Sequence, residues 1–142
     1  MVGIIVTGHG NFATGLISSL ELIAGAQDNL IGVDFLEEDT TESLEKMIED
    51  AIEKLGNEVL VLSDLAGASP FRAAAELSQK NKDKNIKIIA GTNLGMLLEV
   101  SLYRAGMNSL ELLEMAVDSG HTAIKTFEIK NREETMEDEE GI

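Results

Sequence analysis

The chain has 142 residues, of which 44% are hydrophobic, contains no cysteine and carries a formal net charge of −15. This composition predicts one domain with a hydrophobic core and no disulfides, and the negative charge argues against binding to nucleic acid or anionic membranes. No apolar run reaches the roughly 18 residues of a membrane-spanning helix, and no export signal precedes the first apolar segment, so a cytoplasmic protein is expected.

Strand-like and helix-like segments alternate along the chain. Short apolar runs predict strands at 3–8, 30–35, 58–63 and 86–90. Apolar residues at helical spacing, together with start and stop signals, predict helices at 11–24, 41–55, from after Ser69 to about 80, 93–104 and about 110–118. Ser69 followed by Pro70 has the sequence of a helix start, with Ser69 as the N-cap.

The alternation predicts a doubly wound α/β fold with a mainly parallel sheet of order 2-1-3-4 and helices on both faces. Residues 124–130 alternate apolar and polar side chains and predict a last strand at a sheet edge. The predicted organisation is therefore a single domain over 1–130, followed by an acidic solvated tail over 131–142.

Two loops carry the candidate functional residues. They lie at the edge of the predicted sheet where the strand order reverses, between strands one and three. The first strand leads into His9, which lies between Gly8 and Gly10, and the third strand leads into Asp64. In the order 2-1-3-4 these strands are neighbours, so His9 and Asp64 meet where such sheets bind their ligands. The helices that follow begin near Asn11 and Ser69, and their unpaired N–H groups favour an anion.

Each of these residues also has an ordinary explanation. A histidine in a loop and an aspartate after a strand are common without any function, and Ser69 caps a helix whatever else it does. Gly67 permits an unusual turn, and His121 after the fifth helix is explained as a solvated residue. Two histidines without cysteine make a poor zinc ligand set, so no metal site is predicted.

Three motifs at matching spacing carry a family resemblance over residues 1 to about 130. They are the strand that leads into His9-Gly10, the segment from Asp64 to Phe71, and the segment 89–99. Together they resemble the IIA component of the mannose-class family of the bacterial phosphoenolpyruvate-dependent sugar phosphotransferase system. The resemblance implies His9 as the phosphorylated residue, Asp64 as its hydrogen-bond partner and Ser69 beside the phosphate. It also implies a homodimer that exchanges the strand at 124–130.

The chain departs from the mannose members at three positions. They often have threonine before the active histidine and an aromatic residue two positions after it, where this chain has Gly8 and Asn11. They have proline where this chain has Gly95. The Gly-His-Gly-Asn-Phe-Ala form is similar to the N-acetylgalactosamine or galactosamine branch, so mannose is not the expected sugar. No fused IIB domain follows, which implies a separate IIB protein.

The implied mechanism needs no cofactor. His9 accepts a phosphoryl group from the phosphocarrier HPr and passes it to IIB, which serves a membrane transporter of IIC and IID subunits. Asp64 is expected to accept Nδ1–H and leave Nε2 as the nucleophile. Gly10, Asn11, Gly67 and Ser69 are the expected phosphate-binding residues. The alternatives are a phosphohistidine carrier that feeds a dihydroxyacetone kinase, and a non-catalytic module that binds a small anion for regulation.

Overall fold

The computed structural model describes residues 1–129. Within these residues, four strands and five helices follow one another in the predicted order, and no strand separates the last two helices. They are β1 (Gly3–His9), α1 (Phe12–Ala24), β2 (Leu30–Phe35), α2 (Thr41–Leu55), β3 (Glu58–Ser63), α3 (Ser69–Lys80), β4 (Asn85–Ile89), α4 (Leu94–Tyr103) and α5 (Ser109–Thr122). None of the helices in this part of the chain combines the length and apolar character needed to cross a membrane.

The sheet confirms the predicted topology. All strand pairs are parallel and the order is β2-β1-β3-β4. In the register, Gly8 of β1 lies beside Asp34 of β2, and Thr7 lies beside Ser63 of β3. The carboxyl ends of β1, β2 and β3 therefore meet at one edge of the sheet.

Both faces of the sheet are covered by helices. Ile4 and Val6 of β1 pack into a core with α1, α4 and α5, whereas Ile5 packs into a second core with α2 and α3. Residues 3–8 of β1 are all buried, as expected for a central parallel strand that is covered on both sides. A strand buried in this way gives the residue at its exposed end, His9, a rigid support.

The predicted N-cap of α3 is wrong by one residue. Ala68, not Ser69, is the N-cap, and no side chain makes a capping hydrogen bond there. The Ala68 carbonyl accepts the N–H of Arg72 at 2.9 Å, so the helical hydrogen bonds begin one residue earlier than Ser69 and Pro70 suggested. Ser69 is thus the first helical residue, and its hydroxyl is free of a capping role.

We expect Ser69→Ala to change the free energy of unfolding by less than the ~1 kcal/mol that a lost N-cap costs. Thr40 provides the matched control, because its hydroxyl accepts the Ser43 N–H at 3.1 Å and caps α2. Urea denaturation of Ser69→Ala and Thr40→Ala measures both values. Equal losses in the two variants would contradict this assignment.

α5 is longer than predicted. It continues to Thr122, beyond the expected end near residue 118, and it includes Gly120. A Cβ on Gly120 would lie 2.6 Å from Met96 Cε of α4, and the Gly120 carbonyl accepts the Asn93 side-chain amide at 2.9 Å. Gly120 therefore allows two helices to approach closely instead of ending the helix.

The predicted strand at 124–130 does not form with the sheet of its own chain. Residues 124–129 have no regular secondary structure, and the side chains of Phe127 and Ile129 are 91% and 94% exposed. A strand needs a neighbour to pair its backbone groups, and this segment has none within residues 1–129. Lys130 and the predicted tail over 131–142 lie outside the described residues, and the exchange between subunits stays a prediction.

Candidate functional site

The structure brings His9 and Asp64 together. His9 is the last residue of β1, and Asp64 directly follows the neighbouring strand β3. The loop before α4 fixes the backbone there, because the Gly91 N–H donates to the Asp64 carbonyl at 3.0 Å. The Thr92 hydroxyl donates to the Ser63 carbonyl at 2.8 Å and holds the same strand end. Asp64 is thus placed by the sheet and by a second loop.

The Asp64 carboxylate orients the imidazole. Its Oδ2 atom accepts the backbone N–H of His9 at 2.9 Å and lies 2.7 Å from His9 Nδ1. Its Oδ1 atom accepts the N–H of Leu65 at 2.8 Å. Both carboxylate oxygens are therefore engaged, and the side chain has little freedom to rotate away from the imidazole.

The charge state of Asp64 follows from these contacts. Partial burial, the largest single influence, would raise the pKa of the Asp64 carboxyl, but the hydrogen bonds from His9 and Leu65 together lower it below its ordinary value. Asp64 is ionised at neutral pH and can only accept hydrogen bonds. The proton on the imidazole therefore lies on Nδ1, and the Nε2 lone pair is left free.

The imidazole is open to an approaching molecule. The His9 side chain is 48% exposed, whereas that of Asp64 is only 12% exposed. The His9 and Phe35 rings pack in an edge-to-face arrangement, with ring centroids 5.9 Å apart and an interplanar angle of 64°. The site thus combines a partly buried orienting carboxylate with an accessible nitrogen nucleophile.

Unpaired N–H groups follow His9 at the start of α1. The N–H of Gly10 is occupied, since it donates to the Phe35 carbonyl at 2.8 Å, and Gly10 has a φ of 56°. Within residues 1–129, the backbone N–H groups of Asn11, Phe12 and Ala13 donate to no protein acceptor. Asn11 is thus the expected residue that offers a free backbone donor, whereas Gly10 contributes the turn.

The other predicted residues lie in the turn between β3 and α3. Gly67 has a φ of 76°, which explains the glycine, and Ser69 begins the helix. The Ser69 hydroxyl makes no hydrogen bond to His9 or Asp64 in the part of the chain that the structure describes, and Gly67 has no side chain to make one. His121 is not part of this pair: it lines a cavity of about 280 Å³ beside Gly91 that includes neither His9 nor Asp64.

Sequence reasoning missed the role of three neighbours. Asp34 accepts hydrogen bonds from Thr14, and Phe35 contacts the His9 ring. The sequence marks Gly8 as a neighbour of His9 and as a departure from the mannose pattern, but a Cβ there would also lie 2.6 Å from Phe12 Cδ1 and 2.9 Å from Asp64 Cγ. An aspartate at the end of β2 was the available signal for Asp34, whereas nothing in the sequence alone indicates the Gly8 contact.

We expect Gly8→Ala to disturb the hydrogen bond between His9 and Asp64. The new methyl group would lie too close to both the Phe12 ring and the Asp64 carboxylate, which is held by three hydrogen bonds, so relieving the clash displaces the carboxylate as well as the ring. Nitrogen NMR of the imidazole should show a shifted or exchanging Nδ1–H signal, and Phe12→Ala added to Gly8→Ala should relieve only part of the effect.

Gly32→Ala is the matched control for this prediction. Its Cβ would lie 2.8 Å from Ile17 Cδ1, which is a comparable clash against a flexible side chain away from Asp64. The Nδ1–H signal should keep its position in Gly32→Ala. An unchanged signal in Gly8→Ala would show that the carboxylate tolerates the methyl group.

No group of three or more potential metal-ligating side chains occurs within residues 1–129. The arrangement instead fits reversible transfer of an anionic group to a nitrogen. In such a transfer Nε2 would supply the nucleophile, Asp64 would stabilise the positive charge that forms on the ring, and free N–H groups at a helix start would attract an anion.

Comparisons with known proteins agree with this chemistry. The EIIA-man family, described as "PTS system fructose IIA component", matches residues 3–117. The fructose-specific EIIA component of Bacillus subtilis (strain 168) is 34% identical over 115 residues, which are 80% of this chain and 77% of that protein. The mannose-specific EIIAB component of Escherichia coli (strain K12) is 31% identical over 132 residues, which are 91% of this chain but only 40% of that protein.

The fold is also similar to solved structures. The crystal structure of a phosphotransferase system component EIIA from Streptococcus agalactiae superposes with a TM-score of 0.86 at 37% identity, covering 89% of this chain and 98% of that one. A mannose/sorbose-specific IIA subunit from Enterococcus faecalis superposes with a TM-score of 0.83 at 24% identity, covering 92% and 97%. That second likeness, at lower identity, supports the fold alone.

Proposed function

The chain belongs to the EIIA-man family of phosphotransferase-system IIA components, and we propose that Nε2 of His9 carries the phosphoryl group in its relay. A IIA component accepts this group from phospho-HPr and passes it to a IIB component. The observation that supports His9 is its 2.7 Å contact from Nδ1 to Asp64 Oδ2, which leaves Nε2 free on a side chain that is 48% exposed.

The proposed step is an in-line displacement between two nitrogen atoms. The Nε2 lone pair of His9 forms a bond to phosphorus while the bond from phosphorus to the HPr histidine breaks, and that histidine keeps the electron pair. The Nδ1 proton of His9 stays hydrogen-bonded to Asp64, which stabilises the positive charge on the phosphorylated ring. Because one phosphohistidine replaces another, the protein contributes positioning and charge stabilisation.

The three phosphoryl oxygens need hydrogen-bond donors while the phosphoryl group is on His9. The free N–H groups of residues 11–13 at the start of α1 support such a role, as does the positive end of the helix dipole. Ser69 begins α3 with a hydroxyl that has no capping role, and we propose that it donates to a phosphoryl oxygen. Gly67 would give the loop before Ser69 its shape.

Phosphorylation with purified components tests the function. The chain is incubated with phosphoenolpyruvate, enzyme I and HPr, and the expected result is one acid-labile phosphoryl group per chain that appears only when HPr is present. A non-catalytic anion-binding module would gain no covalent phosphate. A chase of the phosphoprotein with IIB, or with a dihydroxyacetone kinase, separates the sugar relay from the other carrier role.

The sugar is a separate question from the chemistry. The similar proteins carry fructose, mannose and sorbose in their names, and the N-acetylgalactosamine or galactosamine branch stays a prediction. We propose that a separate IIB protein receives the group and that contact with the membrane is indirect, through the IIC and IID subunits.

We also propose a homodimer in which the segment at 124–130 pairs with the sheet of the partner. Its support is the exposure of Ile124, Phe127 and Ile129 in the single chain, since apolar side chains this exposed favour a partner. A strand that finds no neighbour in its own chain can pair at an edge of the partner's sheet.

Two truncations test the dimer. Deletion of 131–142 should leave an active dimer, because that segment is charged and poor in apolar residues. Deletion of 124–142 should give monomer or aggregate, because it removes the apolar side chains that would cover the partner. Light scattering measures both, and a stable, active dimer without 124–142 would refute the exchanged strand as the link between subunits.

A further inference from the structure

Hydrogen bonds from the end of β2 hold the turn after His9 at Gly10 and the start of α1 at Thr14. On the near side, the Phe35 carbonyl accepts the N–H of Gly10 at 2.8 Å. On the far side, Asp34 accepts two hydrogen bonds from Thr14: the backbone N–H donates to Oδ1 at 3.0 Å, and the hydroxyl donates to Oδ2 at 2.6 Å. The free N–H groups of residues 11–13 lie between these two anchors.

These contacts from β2 matter for α1 because no N-cap side chain of its own bonds its first turn. Its N-cap residue, Asn11, has a φ of −93° and a ψ of 24°, and its side chain makes no capping hydrogen bond. α3 likewise has no capping side chain and begins with Ser69-Pro70, whereas the N-cap side chains of α2, α4 and α5, which are Thr40, Asn93 and Asn108, each accept a backbone N–H of their own helix. Asp34 takes over this role for α1 from a neighbouring strand.

A carboxylate at this place has an electrostatic cost for an anion-binding site. Its negative charge opposes the helix field that attracts a phosphoryl group. Stability of the helix alone would be served equally well by an Asn11 side chain that capped its own helix, since asparagine is among the best N-caps. Such a cap would, however, bond either the Thr14 N–H, the third-residue group that the caps of α2, α4 and α5 bond in their own helices, or the free N–H of Ala13.

We propose that Asp34 is a positioning residue for phosphoryl transfer, which holds the first turn of α1 so that the N–H groups of residues 11–13 point at the phosphoryl group on His9. This inference rests on the proposed function of His9. Asp34 touches neither the phosphoryl group nor the imidazole in this role; it acts through Thr14. An error of about 1 Å in such donors costs a factor of ~10² in rate.

The test compares Asp34→Ala with Asp34→Asn. Alanine removes both acceptors, whereas asparagine keeps an oxygen for the Thr14 N–H and can donate its amide to the Thr14 hydroxyl. We expect the maximal transfer rate from phospho-HPr to fall by about 10- to 100-fold in Asp34→Ala, with little change in the half-saturating HPr concentration. Asp34→Asn should restore most of the rate.

Asp39 supplies a matched control. It holds the start of α2 with the same chemistry, because its carboxylate accepts the Leu36 N–H at 2.8 Å and the Ser43 hydroxyl at 3.1 Å. Asp39→Ala therefore removes a comparable support from a helix that does not follow His9. Its transfer rate should stay within about two-fold of the wild-type rate, since it leaves the donors at residues 11–13 in place.

Amide NMR gives a second measurement, which a change in stability alone would not alter. Phosphorylation of the wild type should shift the amide protons of residues 11–13 downfield, and Asp34→Ala should lose these shifts even when it is fully phosphorylated. Retained shifts and rate in Asp34→Ala, or an equal loss of rate in Asp39→Ala, would overturn the inference. Failure of the wild type to take up phosphate would instead overturn the proposed function.

Discussion

His9→Ala is expected to abolish phosphorylation by phospho-HPr while the fold persists. Nε2 of His9 is the proposed nucleophile, and the side chain lies at the exposed end of β1 outside both cores, so its loss leaves the packing intact. Mass spectrometry under non-acidic conditions should find one phosphoryl group on the wild type and none on the variant. Circular dichroism should show unchanged helix and strand content.

His121→Ala is the matched control, because the cavity that His121 lines includes neither His9 nor Asp64 and His121 has no place in the proposed chemistry. It should be labelled as fully as the wild type. The bond should be acid-labile and base-stable, unlike an aspartyl phosphate, and nitrogen NMR should assign it to Nε2. Full labelling of His9→Ala, or phosphate on His121, would exclude His9 as the carrier.

The sheet and its central site could be predicted because they follow from strong local patterns. The bounds of β2, α2 and β3 match the prediction, since each is an apolar or amphipathic run between clear breaks. Parallel strands in the order 2-1-3-4 force the carboxyl ends of β1 and β3 together. The meeting of His9 and Asp64 therefore needed only the topology and the positions of two residues.

Features that depend on tertiary contacts were not predictable in this way. The Ser69-Pro70 pair fits a helix start at either of two neighbouring positions, and the bond from Arg72 to the Ala68 carbonyl decides between them. Asp34 caps a helix that precedes it in the chain, so its place at the end of β2 marks it as a candidate, but no local sequence pattern identifies Thr14 as its partner.

The departures from the mannose pattern have a partial steric explanation. Gly8 leaves the space into which Phe12 packs, so the missing side chain at one position and the large ring at the other belong together. A threonine at position 8, as the resemblance describes for mannose members, would collide with this ring and with Asp64. The Gly-His-Gly-Asn-Phe-Ala form is thus one packing arrangement around the same histidine.

Asp64→Asn is expected to keep the fold but to slow phosphoryl transfer by up to ~10⁴-fold, the loss known for an aspartate-to-asparagine change beside a catalytic histidine. The carboxylate accepts three hydrogen bonds, two at Oδ2 from His9 and one at Oδ1 from Leu65. An amide has one oxygen, so in either orientation its NH₂ group faces an N–H donor or imposes the wrong tautomer on His9.

Quenched time courses of phosphoryl transfer from phospho-HPr measure the transfer rate, and Ser69→Ala provides the comparison. Ser69 makes no hydrogen bond to His9 within the described residues, and its hydroxyl is one proposed donor among several, so its removal should slow transfer far less. Circular dichroism must first show that Asp64→Asn is folded. A wild-type rate in Asp64→Asn would refute the orienting role.

The stability of Asp64→Asn should also depend on pH in a defined direction. Because hydrogen bonds lower the pKa of Asp64 in the folded state below its ordinary value of 3.8, the ionised carboxylate stabilises the folded wild type at pH values above 3.8. This contribution is lost as the pH falls through the lowered pKa, and asparagine never has it. Urea unfolding should therefore find the wild type more stable than Asp64→Asn at neutral pH, with the difference shrinking in acid. If the stability difference between the two proteins were independent of pH, Asp64 would not be ionised as assigned here. The tautomer assigned to His9 would then be wrong as well.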